Sequence, residues 1–256
     1  MRPRKSLGQH FLHDRNIIRK IIGAIGPQPG EHFVEIGPGR GALTVPLLAA
    51  VQRLDVVEID RALADQLERS YGRAGLTVHR ADALRFDFRS IATAPGSLRL
   101  AGNLPYNIST PLLFHLLDHH NLFRDLHVML QREVVERMTA PPGTRAYGRL
   151  TVALAARCRV ESLFLVRPGS FTPPPQVDSA VARLVPDAAL AARIADPAAF
   201  DRVLTRAFSM RRKRLANALK GLLSEADISA CGIDPGARPG VVPPEGYLEL
   251  SRRLAG

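Results

Sequence analysis

The run Ala101-Gly102-Asn103-Leu104-Pro105-Tyr106-Asn107-Ile108-Ser109-Thr110 carries the residues best suited to a chemical step. The side-chain oxygen of Asn103 and the backbone carbonyl of Leu104 are two acceptors next to each other in the chain. They suit the two hydrogens of an exocyclic amino group such as that of adenine, whose lone pair is otherwise delocalised into the ring. Holding both hydrogens would aim that lone pair at an electrophilic methyl group and stabilise the positive charge developing on nitrogen. Pro105 stiffens the turn and brings no competing N–H. Tyr106 offers an aromatic face on which an extruded base can stack. The plainer reading is a Pro-containing turn with Ser109 or Thr110 capping the next helix, and the two readings are compatible.

A second constellation precedes it. Glu35-Ile36-Gly37-Pro38-Gly39-Arg40-Gly41 follows an apolar run and opens a helical stretch. Glycines there let the backbone turn sharply and approach a nucleotide-like ligand. Glu58 ends the next apolar run, 21 residues after Gly37, where a carboxylate can accept from both ribose hydroxyls. Gly37 and Gly39 with Glu58 therefore predict an adenosine-containing cofactor, without choosing between a nicotinamide dinucleotide and S-adenosylmethionine. Asp82 stands where it could accept from an adenine amino group, although an Asp at a strand end also serves as a helix cap.

These residues need a scaffold that gathers strand ends. Asp14 can cap a helix through Ile17, Ile18, Ile21, Ile22 and Ile25. Strands are expected at residues 33–36, 54–59, 76–79, 98–101, 126–130, 160–166 and 177–185, with helices at 42–51 and 61–71. Such alternation predicts an α/β fold with a mostly parallel sheet covered on both faces. Beyond Pro186 the pattern turns Ala/Leu/Arg-rich and helical. Two domains are expected, a cofactor-binding catalytic domain over 1–186 and a small helical domain over 187–256.

Composition narrows the function classes. Thirty-five Lys and Arg against 24 Asp and Glu give a formal charge of +11 and a pI near 10.7, which favours a polyanionic partner. Residues 202–220 hold Arg202, Arg206, Arg211, Arg212, Lys213, Arg214 and Lys220 with no acid, and the first 20 residues hold six cations against Asp14 alone. Each run alone is readily a solvated face; together they predict a nucleic-acid surface, with Arg211, Arg212, Lys213 and Arg214 at its centre. No apolar run approaches the roughly 20 residues that span a bilayer, and no signal-peptide pattern opens the chain. A cytoplasmic, monomeric protein is expected. Cys158 and Cys231 read as two reduced thiols, and the eight histidines show no metal-ligand spacing, so no metal is expected.

The motifs taken together resemble the ribosomal RNA small-subunit adenine dimethyltransferase family. The resemblance is carried by Lys5-Ser6-Leu7-Gly8-Gln9-His10-Phe11-Leu12, by residues 34–44, by Val57-Glu58-Ile59-Asp60, by Asp82-Ala83, and by residues 102–110, 171–181 and 207–217. It implies a class I methyltransferase, with a Rossmann-like sheet followed by a small helical domain. It implies S-adenosylmethionine held by His10, Leu12, Gly37, Glu58, Asp82 and Asn103, and a second aromatic near the target base at Phe171. It further implies two methyl groups on each of two adjacent adenosines in the 3′-terminal hairpin loop of 16S ribosomal RNA. The partners it implies are that RNA and the assembling small ribosomal subunit. The chain departs from many relatives at His10, where they carry Asn. An imidazole still forms hydrogen bonds, so contact with the cofactor is expected to survive the change.

Two enzyme alternatives share the tetrapeptide: the antibiotic-resistance methyltransferases of large-subunit RNA, and DNA adenine methyltransferases. The residues 171–181 and Arg211-Arg212-Lys213 favour the small-subunit family, and Leu104 disfavours a DNA enzyme. A non-catalytic assembly factor on this fold would not need Glu58, Asn103 and Tyr106 intact, and an oxidoreductase would bind NAD.

Overall fold

The computed structural model describes residues 9–256, so Lys5 to Gly8 and the cations Arg2, Arg4 and Lys5 lie outside the described residues. The elements in chain order are β1 (Phe11–Leu12), α1 (Arg15–Ile25), β2 (His32–Ile36), α2 (Thr44–Val51), β3 (Leu54–Glu58), α3 (Arg61–Tyr71) and β4 (Leu76–Arg80). There follow β5 (Leu98–Asn103), α4 (Ser109–Asp118), β6 (Phe123–Gln131), α5 (Arg132–Met138), α6 (Arg149–Ala155), β7 (Cys158–Val166), β8 (Phe171–Thr172) and β9 (Ser179–Pro186). The C-terminal helices are α7 (Ala188–Ala191), α8 (Pro197–Ser209), α9 (Leu215–Ala218), α10 (Glu225–Ala230) and α11 (Pro244–Ala255).

Seven strands form one sheet in the order β4-β3-β2-β5-β6-β9-β7. The pairs β3/β4, β2/β3, β2/β5 and β5/β6 are parallel, and β9 runs antiparallel to β6. Sheets of this kind are covered on both faces, which is why β3 and the first five residues of β5 read as continuous buried runs rather than alternating ones. Strand order reverses at β2. The chain moves outward to β3 and β4, then returns to the other side of β2 as β5. The crevice between β2 and β5 is thus the switch point at which doubly wound sheets bind ligands.

Local chemistry explains the flanking elements. Asp14 caps α1 by accepting from the amides of Asn16 (2.8 Å) and Ile17 (3.3 Å). Ile21 and Ile25 of α1 are buried in the core with Phe33, Leu47, Val51 and Val56. Arg99 anchors this corner from β5: its guanidinium grips the Asp125 carboxylate at 2.8 and 2.9 Å, Glu31 at 2.6 Å and the Ile25 carbonyl at 2.8 Å. Removing one partner of so buried a network costs about 3–5 kcal/mol, because the other charge is stranded.

The described chain divides into two compact units. One is residues 9–135 with 161–186; the other is residues 136–160 with 187–256. The second cut falls where the composition changes, after Pro186. Residues 136–160, assigned from linear order to the first domain, group instead with the C-terminal helices. The physical reason is visible in their partners within the second unit. Tyr147 is fully buried and donates to the Val242 carbonyl at 2.7 Å. Arg149 pairs with Asp201 of α8. No described helix is long and apolar enough to cross a membrane, and no group of described His, Cys, Asp or Glu residues is arranged to hold a metal ion.

Candidate active site

The cleft at the switch point lies wholly within the first unit. Its walls include His10, Leu12, Gly37, Gly39, Glu58, Asn103, Leu104 and Tyr106. An adjoining recess shares Gly37, Glu58, Ile59 and Pro105 and adds Asp82, Ala83 and Ile108. Every residue expected to meet the cofactor lines one of these two spaces.

The glycine loop closes the floor. Gly37 and Gly39 have φ of 65° and 57°, conformations that side chains with a Cβ rarely adopt. A Cβ on Gly39 would also stand 3.1 Å from the Phe11 ring. Gly39 donates its amide to Glu58 Oε2 at 3.1 Å, and Asp60 donates its amide to Oε1 at 2.9 Å. Strand end and glycine loop are therefore locked through one carboxylate. Burial raises the pKa of Glu58, and the two backbone amides oppose the rise.

Beneath the loop lies Glu35, only 2% exposed, accepting from Thr44 Oγ1 at 2.6 Å. Burial pushes its carboxyl up to about 8; the Thr44 hydroxyl opposes this and the Glu58 charge adds to it. Its folded pKa is raised, so its contribution to stability is complete below the ordinary carboxylate range and is lost as pH rises through about 8. We expect the melting temperature of the wild type to fall between about pH 5 and pH 8, and Glu35→Gln to flatten that fall. Parallel thermal scans of the two proteins check this, and identical slopes would contradict it.

At the turn after β5, the Leu104 amide donates to the Met129 carbonyl at 3.0 Å, fixing the peptide at the end of the strand. Asn103 Nδ2 donates to the His10 carbonyl at 3.0 Å. Because a carbonyl can only accept, the amide nitrogen must face His10, and Oδ1 must face away from it. That Oδ1 is buried and has no partner among the described residues. Ser109 does not cap α4. Its hydroxyl turns back to donate to the Pro105 carbonyl at 3.1 Å, bracing the turn from behind.

An N-terminal strap covers the cleft. β1 pairs antiparallel with β8, Phe11 opposite Thr172 and Leu12 opposite Phe171, and the His13 amide donates to the Ser170 carbonyl at 3.0 Å. His10 Nδ1 donates to the Pro173 carbonyl at 2.8 Å, and its ring stacks on Tyr106 with centroids 5.3 Å apart. The Tyr106 hydroxyl bonds Ser179, and burial raises its pKa. The imidazole thus supports Tyr106, while the backbone of residue 10 meets Asn103.

Two expected residues, Phe171 and Arg211, stand differently from the sequence reading. Phe171 is 2% exposed and packs in the core behind β1, outside the cleft walls. Asp82 lines the second recess, and its Oδ1 accepts from the Leu84 amide at 2.9 Å, bracing a turn that no helix follows directly. Arg211 is tied inside its own unit, donating to the carbonyls of Arg145 (2.8 Å) and Thr144 (2.9 Å). Arg212, Lys213 and Arg214 are exposed. Ile59, absent from the residues expected at the site, is 51% exposed at the edge of both spaces. Its signal was an apolar residue directly after an acid at a strand end, a surface suited to the face of an adenine ring.

A doubly wound sheet with a glycine loop, a strand-end acid and this turn at its switch point is the architecture of class I methyltransferases. Solved structures agree: a dimethyladenosine transferase from Plasmodium falciparum matches with a TM-score of 0.77 and 28% identity, over 94% of this chain and 96% of that one. The 23S rRNA methyltransferase ErmE matches with a TM-score of 0.70 and 25% identity, over 96% and 100%. The chain belongs to the ribosomal RNA adenine dimethylase family, whose model matches residues 1–255, and it is a methyltransferase. A protein of Nitrosococcus oceani named ribosomal RNA small subunit methyltransferase A is 53% identical over 98% of this chain and 96% of its own length. One of the same name from Pseudomonas putida is 50% identical over 99% and 96%.

Proposed function

We propose that the chain transfers methyl groups to the exocyclic amino groups of two adjacent adenosines in the 3′-terminal hairpin loop of 16S ribosomal RNA. Each adenosine receives two, and the acceptor is the assembling small ribosomal subunit. The observation that carries this reading is the buried Asn103 Oδ1, unpartnered and directed by the bond from Nδ2 to His10. A buried acceptor left without a donor costs about 1–3 kcal/mol, which a bound amino group would relieve.

The residues present fit S-adenosylmethionine. Glu58 would accept from the ribose hydroxyls, Asp82 from the adenine amino group, and Ile59 would cover the adenine face. Gly37 and Gly39 leave room for the backbone to approach, while His10 and Leu12 close the cleft from the strap. When bound, the cofactor supplies an electrophilic methyl group. Asn103 Oδ1 and the Leu104 carbonyl accept the two amino hydrogens of the target base, turning its lone pair toward the cleft. Tyr106, held by His10 and Ser179, supports the extruded base. The methylated nitrogen is acidic enough to lose its proton late, so the turn needs no strong base. Phe171 acts through Leu12, by seating the strap, rather than on the base. The exposed cations Arg212, Lys213 and Arg214 engage RNA phosphates, and the protein works as a cytoplasmic monomer.

The test is transfer of labelled methyl groups to three acceptors: undermethylated small subunits, fully modified small subunits and large subunits. Label is expected in the first alone. Label in large subunits would favour the activity named for ErmE, and binding of NAD in place of S-adenosylmethionine would overturn the cofactor assignment.

A further inference from the structure

We propose that the loop of residues 141–148 is a second RNA-contacting element, and that Arg211 acts by positioning this loop rather than by touching phosphate. The proposal rests on the RNA-binding reading above and deepens it. In the run Arg211-Arg212-Lys213, the last two side chains are exposed, whereas Arg211 is partly buried. Its two terminal nitrogens are spent on the carbonyls of Arg145 and Thr144. Two of its five N–H groups are committed to carbonyls, which fixes the guanidinium against the loop instead of leaving it free to turn toward a phosphate.

The loop it holds is built rather than slack. The Gly143 amide donates to the Gly240 carbonyl at 2.8 Å, and Thr144 Oγ1 donates to the Pro141 carbonyl at 2.8 Å. Tyr147 anchors the far end through its buried hydroxyl. A loop already ordered loses little conformational entropy on binding. It presents the exposed side chain of Arg145, which lies in a stretch, residues 137–149, with three arginines and no acid. The turn it is fastened to, residues 235–244, carries exposed Arg238 and no acid. Three acid-free segments distant in sequence are thus bonded together in one unit. Separate cations held on a fixed frame fit the phosphate backbone of a folded RNA.

The experiment measures binding of the full-length protein to a 16S ribosomal RNA fragment containing the 3′-terminal hairpin, across about 50–200 mM salt. Arg145→Ala, at an exposed position, is expected to reduce the salt slope by about 1, the roughly threefold change over that range that one phosphate contact contributes. Arg211→Ala should weaken binding similarly, and the Arg145→Ala/Arg211→Ala double variant should be no weaker than either single one. Arg212→Ala should add to both. An additive double variant would overturn the positioning role. A normal slope for Arg145→Ala beside a reduced slope for Arg212→Ala would overturn the loop contact and leave the RNA surface standing. If none of the variants changes the slope, the RNA surface itself fails, and the inference with it.

Discussion

Replacing Asn103 by alanine is expected to lower methyl transfer at saturating cofactor by about three orders of magnitude while RNA affinity stays near that of the wild type. The magnitude is that of removing one preorganised group that meets charge developing in a transition state. Here the group is Oδ1, held by the bond from Nδ2 to the His10 carbonyl at 3.0 Å. Asn103→Asp sharpens the expectation. Aspartate keeps an acceptor of the same size, but its second oxygen would face the His10 carbonyl, oxygen against oxygen. The carboxylate should rotate or push the strap away, so activity should fall nearly as far as with alanine. Single-turnover kinetics on undermethylated small subunits check both variants. Turnover within tenfold of the wild type for Asn103→Ala would remove Asn103 from the proposed role.

The second large effect is on cofactor affinity. Glu58→Ala is expected to weaken binding of S-adenosylmethionine by about two to three orders of magnitude, since hydrogen bonds to a charged acceptor contribute about 1.5–3 kcal/mol each. The same substitution deprives the amides of Gly39 and Asp60 of their partner, so the glycine loop loses its tie to β3 as well. Glu58→Gln should rescue only part of the loss, because its amide nitrogen must face one of those two backbone donors. Calorimetric titration of the three proteins measures this. Affinity of Glu58→Ala within threefold of the wild type would contradict the assignment.

What could be read from the chain beforehand was what local pattern encodes. The run Glu35-Ile36-Gly37-Pro38-Gly39, Glu58 at a strand end, and Asn103 at the end of β5 are each short signals whose meaning depends on a neighbouring strand. The parallel order of the sheet makes those strand ends converge. Contacts between distant segments were not legible. The strap is two residues paired with two others more than 150 positions away, too short to show alternation. It decides which atom of residue 10 meets Asn103 and why Phe171 faces the core. Arg211 looked like its neighbours because a charge run carries no information about which cation has found a carbonyl. Residues 136–160 looked like part of the first domain because linear order conceals that Tyr147 docks on Val242.

In the proposed function the turn at Asn103 and Leu104 presents two acceptors to an adenine amino group. The most direct test is mass-spectrometric mapping of RNA from undermethylated small subunits after incubation with the protein and S-adenosylmethionine. Two methyl groups are expected on the exocyclic nitrogen of each of two neighbouring adenosines, and neither modification when Asn103→Ala is used. Methylation of a ring nitrogen or another base, or the same doubly methylated adenosines from Asn103→Ala, would contradict it.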